Sequence, residues 1–133
     1  WNNVAPNSAI IRIVILKAIA DDTTLTTGDG KMYFTVPPEL NGMNLVDADA
    51  HVYTVSSSGT PTIQIHNLTD INDMLATRIT IDANEKDSST AATQPIIDQA
   101  KDDVVTADEI RIDVDVAGTS TAGLEIRLTF QIP

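Results

Sequence analysis

Apolar and polar positions alternate with a period of two along most of this chain. The clearest case is Glu109 to Val116, "EIRIDVDV". There Ile110, Ile112, Val114 and Val116 fall on one side, and Arg111, Asp113 and Asp115 on the other. "LEIRLTFQI" repeats the pattern, with Leu124, Ile126, Leu128, Phe130 and Ile132 inward and Glu125, Arg127, Thr129 and Gln131 outward. Successive side chains of a strand point to opposite faces, so both segments predict half-buried strands. "AGTSTAG" between them predicts a hairpin-like connection.

The same pattern continues upstream. "TIQIHN" sets Ile63 and Ile65 in, with Gln64 and His66 out. "MLATRITID" predicts one strand, with Leu75, Thr77, Ile79 and Ile81 against Met74, Ala76, Arg78 and Thr80. "MNLVDADAHVYTV" places Ala48, Ala50, Val52 and Thr54 opposite Asp47, Asp49, His51, Tyr53 and Val55. "KMYFTV" gathers Met32, Phe34 and Val36. Gly, Pro, Asp and Ser clusters separate these runs, "TTGDGK", "PPELNG" and "SSSGTP" among them. Positions 82–94 predict a polar surface loop, and "PIIDQAKDDV" a short helix or turn.

"AIIRIVILKAIADD", positions 9–22, is the most apolar stretch. Arg12, Lys17 and the closing Asp21-Asp22 make it too short and too charged for a bilayer span. No basic region precedes it, so a signal peptide is not indicated. Its β-branched cluster disfavours a helix. As a strand it places Ile11, Ile13, Ile15 and Ile19 on one face, and Arg12, Val14, Leu16 and Ala18 on the other. Two apolar-leaning faces call for cover on both sides. The stretch is therefore predicted to lie at a subunit interface through Ile11, Ile13, Val14, Ile15 and Leu16, with Val14 and Leu16 in need of outside cover.

Seven to eight strands, no long amphipathic helix and no βαβ rhythm predict an all-β antiparallel sandwich, jelly-roll or Ig-like. The 133 residues suit one domain, taken as 9–133 after an irregular lead over 1–8. The start at Trp1 rather than Met predicts a processed chain or a segment of a longer one.

Composition narrows the function classes. Nineteen acidic against eight basic residues give a net charge of −11, which opposes binding to nucleic acid and to anionic membrane. The absence of cysteine excludes disulfides, thiol catalysis and thiolate metal sites. No nucleophile motif appears, and "TGDGK" lacks the length and the Lys-Ser/Thr ending of a phosphate loop. No enzyme activity, small-molecule substrate or cofactor is expected. His51 and His66 have no ligand partner at metal spacing. Asp47 with Asp49, and Asp113 with Asp115, read first as solvated acidic faces. Asp82, Glu85 and Asp87 cluster hard oxygens in a loop and are weak Ca²⁺ candidates, without the EF-hand glycine. With aromatics at 4%, only Trp1, Tyr33 and Tyr53 could stack on a sugar.

The blocks "TGDGK", "LNGMNLVD", "IQIHN", "TIDANE" and "RIDVDVAGT" resemble those of a small domain that recurs in bacteriophage and prophage virion proteins. The resemblance covers roughly Leu25 to Pro133. It implies a structural role in a virion, as a capsid decoration, tail or fibre domain. The partners it implies are copies of the chain, with three-fold symmetry favoured, and other virion proteins. It carries over no catalytic residue. Two other readings remain: an extracellular filament subunit joined by donation of its N-terminal strand, and a receptor- or carbohydrate-binding module.

Overall fold

The last long strand organises the molecule because both of its sides are paired. The computed structural model describes residues 10–133. It contains β1 (Ile11–Thr24), β2 (Gly28–Thr35), β3 (Asn44–His51), β4 (Thr62–Asn67), β5 (Asn72–Asp73), β6 (Leu75–Thr77), β7 (Ile79–Thr80), β8 (Ile96–Ile97), β9 (Glu109–Val116) and β10 (Ala122–Gln131). Short 3-10 turns lie at Pro38–Leu40 and Ser88–Thr90. The expected lead over residues 1–8 and Trp1 lie outside the described residues.

All strand pairings are antiparallel. One sheet has the order β1-β10-β3. The other has the order β2-β9-β4-β5, with β7 also on β4, and β6 and β8 form a small ribbon. The inward faces of both sheets meet in one core. Ile63, Ile65, Ile110, Ile112 and Val114 come from one side, and Ala48, Ala50, Leu124, Ile126, Leu128 and Phe130 from the other. The all-β sandwich class therefore holds, with ten strands among the described residues in place of seven or eight because several are only two or three residues long.

Four local expectations change. β9 and β10 do not form a hairpin, since they lie in different sheets and residues 117–121 cross between them. Residues 74–82 are not one strand: Met74 and Leu75 are both buried, which breaks the alternation, and the chain divides into β6 and β7. The turn expected in 95–104 is present, with Lys101 N–H donating to Asp98 O at 2.9 Å, but no helix forms, and Ile96 and Ile97 pair with β6. Val116 ends β9 at 45% exposure, outside the core.

The sheet edges are treated differently. The second edge of β3 is capped by loop backbone and side chains. Leu45 N–H donates to Asp102 O at 2.7 Å, and Val52 N–H to Lys86 O at 2.8 Å. Ala50 N–H donates to Ser88 Oγ at 2.9 Å. β1 ends its sheet with no strand beyond it among the described residues.

Candidate functional site

The register between β1 and β10 decides which face of β1 is buried. Directly opposed residues in an antiparallel pair share a face. Val14 stands opposite Leu128, and Leu16 opposite Ile126, both of which are core residues. Val14 and Leu16 therefore pack half-buried on the core of their own chain. Ile11, Ile13 and Ile15 stand opposite Gln131, Thr129 and Arg127 and face outward. They are 44%, 63% and 62% exposed. This inverts the expected faces: Val14 and Leu16 have their cover, and the isoleucine stripe lacks it. A register irregularity between Lys17 and Ile19 then turns Ile19 inward. Apolar residues at both parities made the faces indistinguishable in the sequence.

Beside this stripe, the outer face of the sheet carries a charge cluster. Arg127 on β10 donates to both Asp87 carboxylate oxygens at 3.0 Å. His51 Nδ1 lies 2.8 Å from Asp87 Oδ2, and Ser89 N–H donates to Asp87 Oδ1 at 2.9 Å. Partial burial opposes ionisation of Asp87. The hydrogen bonds from Ser89, His51 and Arg127 outweigh it and hold the carboxyl well below the usual range. Ser88, fully buried, donates to Asp49 Oδ1 at 3.2 Å. Burial raises Asp49, and Asp47 adds to that. Together these contacts fasten the 82–94 loop onto β3.

The Ca²⁺ candidates are engaged separately. Asp82 Oδ2 accepts from Ala92 N–H at 2.9 Å, Glu85 accepts from the Thr90 hydroxyl, and Asp87 serves the latch. Among the described residues no group of three or more such side chains could hold a metal ion. The acidic pair on β9 is not a solvated face. The Asp113 side chain is 5% exposed and takes a two-pronged ion pair from Arg111 at 2.8 and 2.9 Å. It also accepts from Gly30 N–H at 2.9 Å. Burial raises Asp115, with Arg78 at 2.7 Å opposing that shift.

Gln64, expected outward, is buried under the excursion from β5 to β7 and hydrogen-bonds both the N–H and the C=O of Leu75. That excursion leaves an open groove of about 450 Å³, lined by Thr62, Gln64, Asp73, Thr77, Arg78 and Thr80 among others. Its charged groups are satisfied within the chain: Arg78 pairs with Asp115, and Asp73 lies 2.7 Å from His66 Nδ1. Tyr33 and Tyr53 are exposed, but neither lines the groove. Lys86 sits 5.3 Å over the Tyr53 ring. The sequence did not reveal Arg127 and Ser88 as partners, because their contacts join segments far apart in the chain, whereas Arg111 pairs with Asp113 two residues along its own strand.

What the surface offers is thus an apolar stripe on a sheet edge with no strand beyond it among the described residues, in an acidic chain most of whose Lys and Arg side chains pair with its own carboxylates. No protein-family model, curated protein or solved structure matches this chain.

Proposed function

We propose that this chain is a non-enzymatic structural subunit of a bacteriophage virion, of capsid-decoration, tail or fibre type, that works through subunit–subunit contacts. One observation carries the reading: three isoleucines stand exposed in a row on the edge strand β1. Contiguous exposed apolar surface of this kind marks interaction sites. The resemblance of the blocks from Leu25 onward supplies the virion setting. Donation of β1 to a neighbour is disfavoured, because β1 runs in register with β10 of its own chain from Ile11 to Lys17 and its inner side chains pack on its own core.

Electron microscopy of the native source material, with an antibody raised against this chain, tests the proposal. Label at regular positions on virus particles is expected. Label confined to cell-surface filaments, or to free protein with bare particles, would overturn it.

A further inference from the structure

We infer that two copies of this chain pair through β1, antiparallel and edge to edge, joining their β1-β10-β3 sheets into one continuous sheet. The inference rests on the structural-subunit reading and names the partner and the geometry.

An inventory of edges points to the second copy's own β1. The edge of β3 is closed by Ser88, Lys86 and Asp102. In the other sheet β2 is an edge, but it is eight residues long and its register is irregular between Gly28 and Met32. β1 is regular from Ile11 to Lys17 and contains no proline. Proline and bulges, which usually protect an edge, are thus missing from that run, and its only charged side chains are Arg12 and Lys17. The edge lysine is tied back, since Lys17 Nζ lies 2.6 Å from Asp21 Oδ1.

Among the described residues no strand pairs with that edge. Ile132 N–H donates to Ile10 O at 3.4 Å, so Ile10 faces β10. Backbone groups of alternate residues point the same way in an antiparallel ladder. Ile11, Ile13, Ile15 and Lys17 therefore turn N–H and C=O to the open side. The Arg12 guanidinium reaches Ile11 O, at 3.1 Å.

The side-chain pattern is self-complementary. A two-fold axis at Val14 sets Ile13 beside Ile15 of the second copy, and Ile15 beside its Ile13. Arg12 then faces Leu16, and Ile11 faces Lys17, so no like charges stand directly opposite. The pairing stops where the β1 register breaks after Lys17. Charge favours the same strip. Positions 10–20 hold Arg12 and Lys17 and no acidic residue, in a chain of net charge −11. Two acidic copies therefore approach with least repulsion along this strip. An edge this short buries roughly 1,000 Å² or less, so association is expected to depend on concentration.

The test uses the absence of native cysteine. Single-cysteine full-length chains carrying Ile11→Cys, Ile13→Cys, Lys17→Cys or, as control, the exposed Val105→Cys are treated with a short thiol-to-thiol cross-linker. Ile13→Cys is expected to form covalent dimers, and Ile11→Cys mixed with Lys17→Cys to form a mixed dimer. Ile11→Cys alone is expected to stay monomeric, because antiparallel pairing holds its two copies about 20 Å apart. In sedimentation, Ile13→Lys is expected to weaken the dimer by at least about tenfold. Self-linking of Ile11→Cys would mean a parallel or three-fold arrangement and would overturn the inference. So would yields at Ile13 no higher than at Val105. If particles still carry the antibody label in either case, the structural-subunit reading stands and only the pairing falls.

Discussion

Replacing Asp87 with alanine removes the fastening between the 82–94 loop and the first sheet. The magnitude follows from three contacts. Loss of the cap on Ser89 N–H costs about 1 kcal/mol. The pair with Arg127, whose side chains are 32% and 23% exposed, is worth about 1 kcal/mol after allowance for solvent screening. The His51 contact adds about 0.5 kcal/mol, since that ring is 40% exposed. The expected loss is about 2–3 kcal/mol, or a fall of about 10 °C in melting temperature for a domain of this size. Urea unfolding measures the first and calorimetry the second. Hydrogen exchange locates the effect: the amides of Ala50 and Val52, bonded to Ser88 and Lys86 of the loop, should exchange faster. A loss below about 0.5 kcal/mol with unchanged exchange at both amides would refute the latch.

Asp113→Ala removes the two-pronged partner of Arg111, which keeps only Asp29 at 3.4 Å, and takes the acceptor from Gly30 N–H; urea unfolding should show a loss of about 2–3 kcal/mol. Gly123→Ala should cost about 1–3 kcal/mol by the same assay. Its φ is +75°, and an added Cβ would lie 2.8 Å from Tyr53 Cβ and 3.0 Å from Asp21 Cα. Stability against pH should pass through a maximum in mild acid. Asp49, Asp70, Asp102 and Asp115 are raised, chiefly by burial, so the folded chain takes up their protons first and gains stability as pH falls from neutral towards about 4. Asp87 is lowered, so its contribution is present above the ordinary carboxylate value and is lost as pH falls through its folded value. A melting temperature that declines steadily from pH 7 downward would contradict these directions.

The parts of the fold legible in the sequence were those in which one parity is apolar and the other is not. β10 is the clearest case: Leu124, Ile126, Leu128 and Phe130 are all buried, as their alternation predicts. β1 was legible as a strand but not as to face, because Ile13 and Val14 are equally apolar and only the pairing of Val14 with Leu128 chooses between them. Gln64 and Asp113 sit at outward positions that other segments later cover, the β5–β7 excursion in one case and Gly30 of β2 in the other. Such cover comes from contacts remote in sequence and leaves no local signal. The same holds for Asp87, where His51 and Arg127, from two distant strands, join the neighbouring Ser89 in turning a loop carboxylate into a fastener.

The central claim is that the exposed isoleucine stripe of β1 is a contact between subunits. Its most direct test is sedimentation equilibrium over a concentration series, comparing the full chain with an Ile11→Thr, Ile13→Thr, Ile15→Thr variant. Threonine keeps the β-branched shape and removes the apolar stripe. These exposed substitutions should change stability by no more than about 0.5 kcal/mol each. The full chain is expected to associate as concentration rises, and the equally folded variant to remain a monomer. Equal association of the two chains, or none in either, would contradict the account.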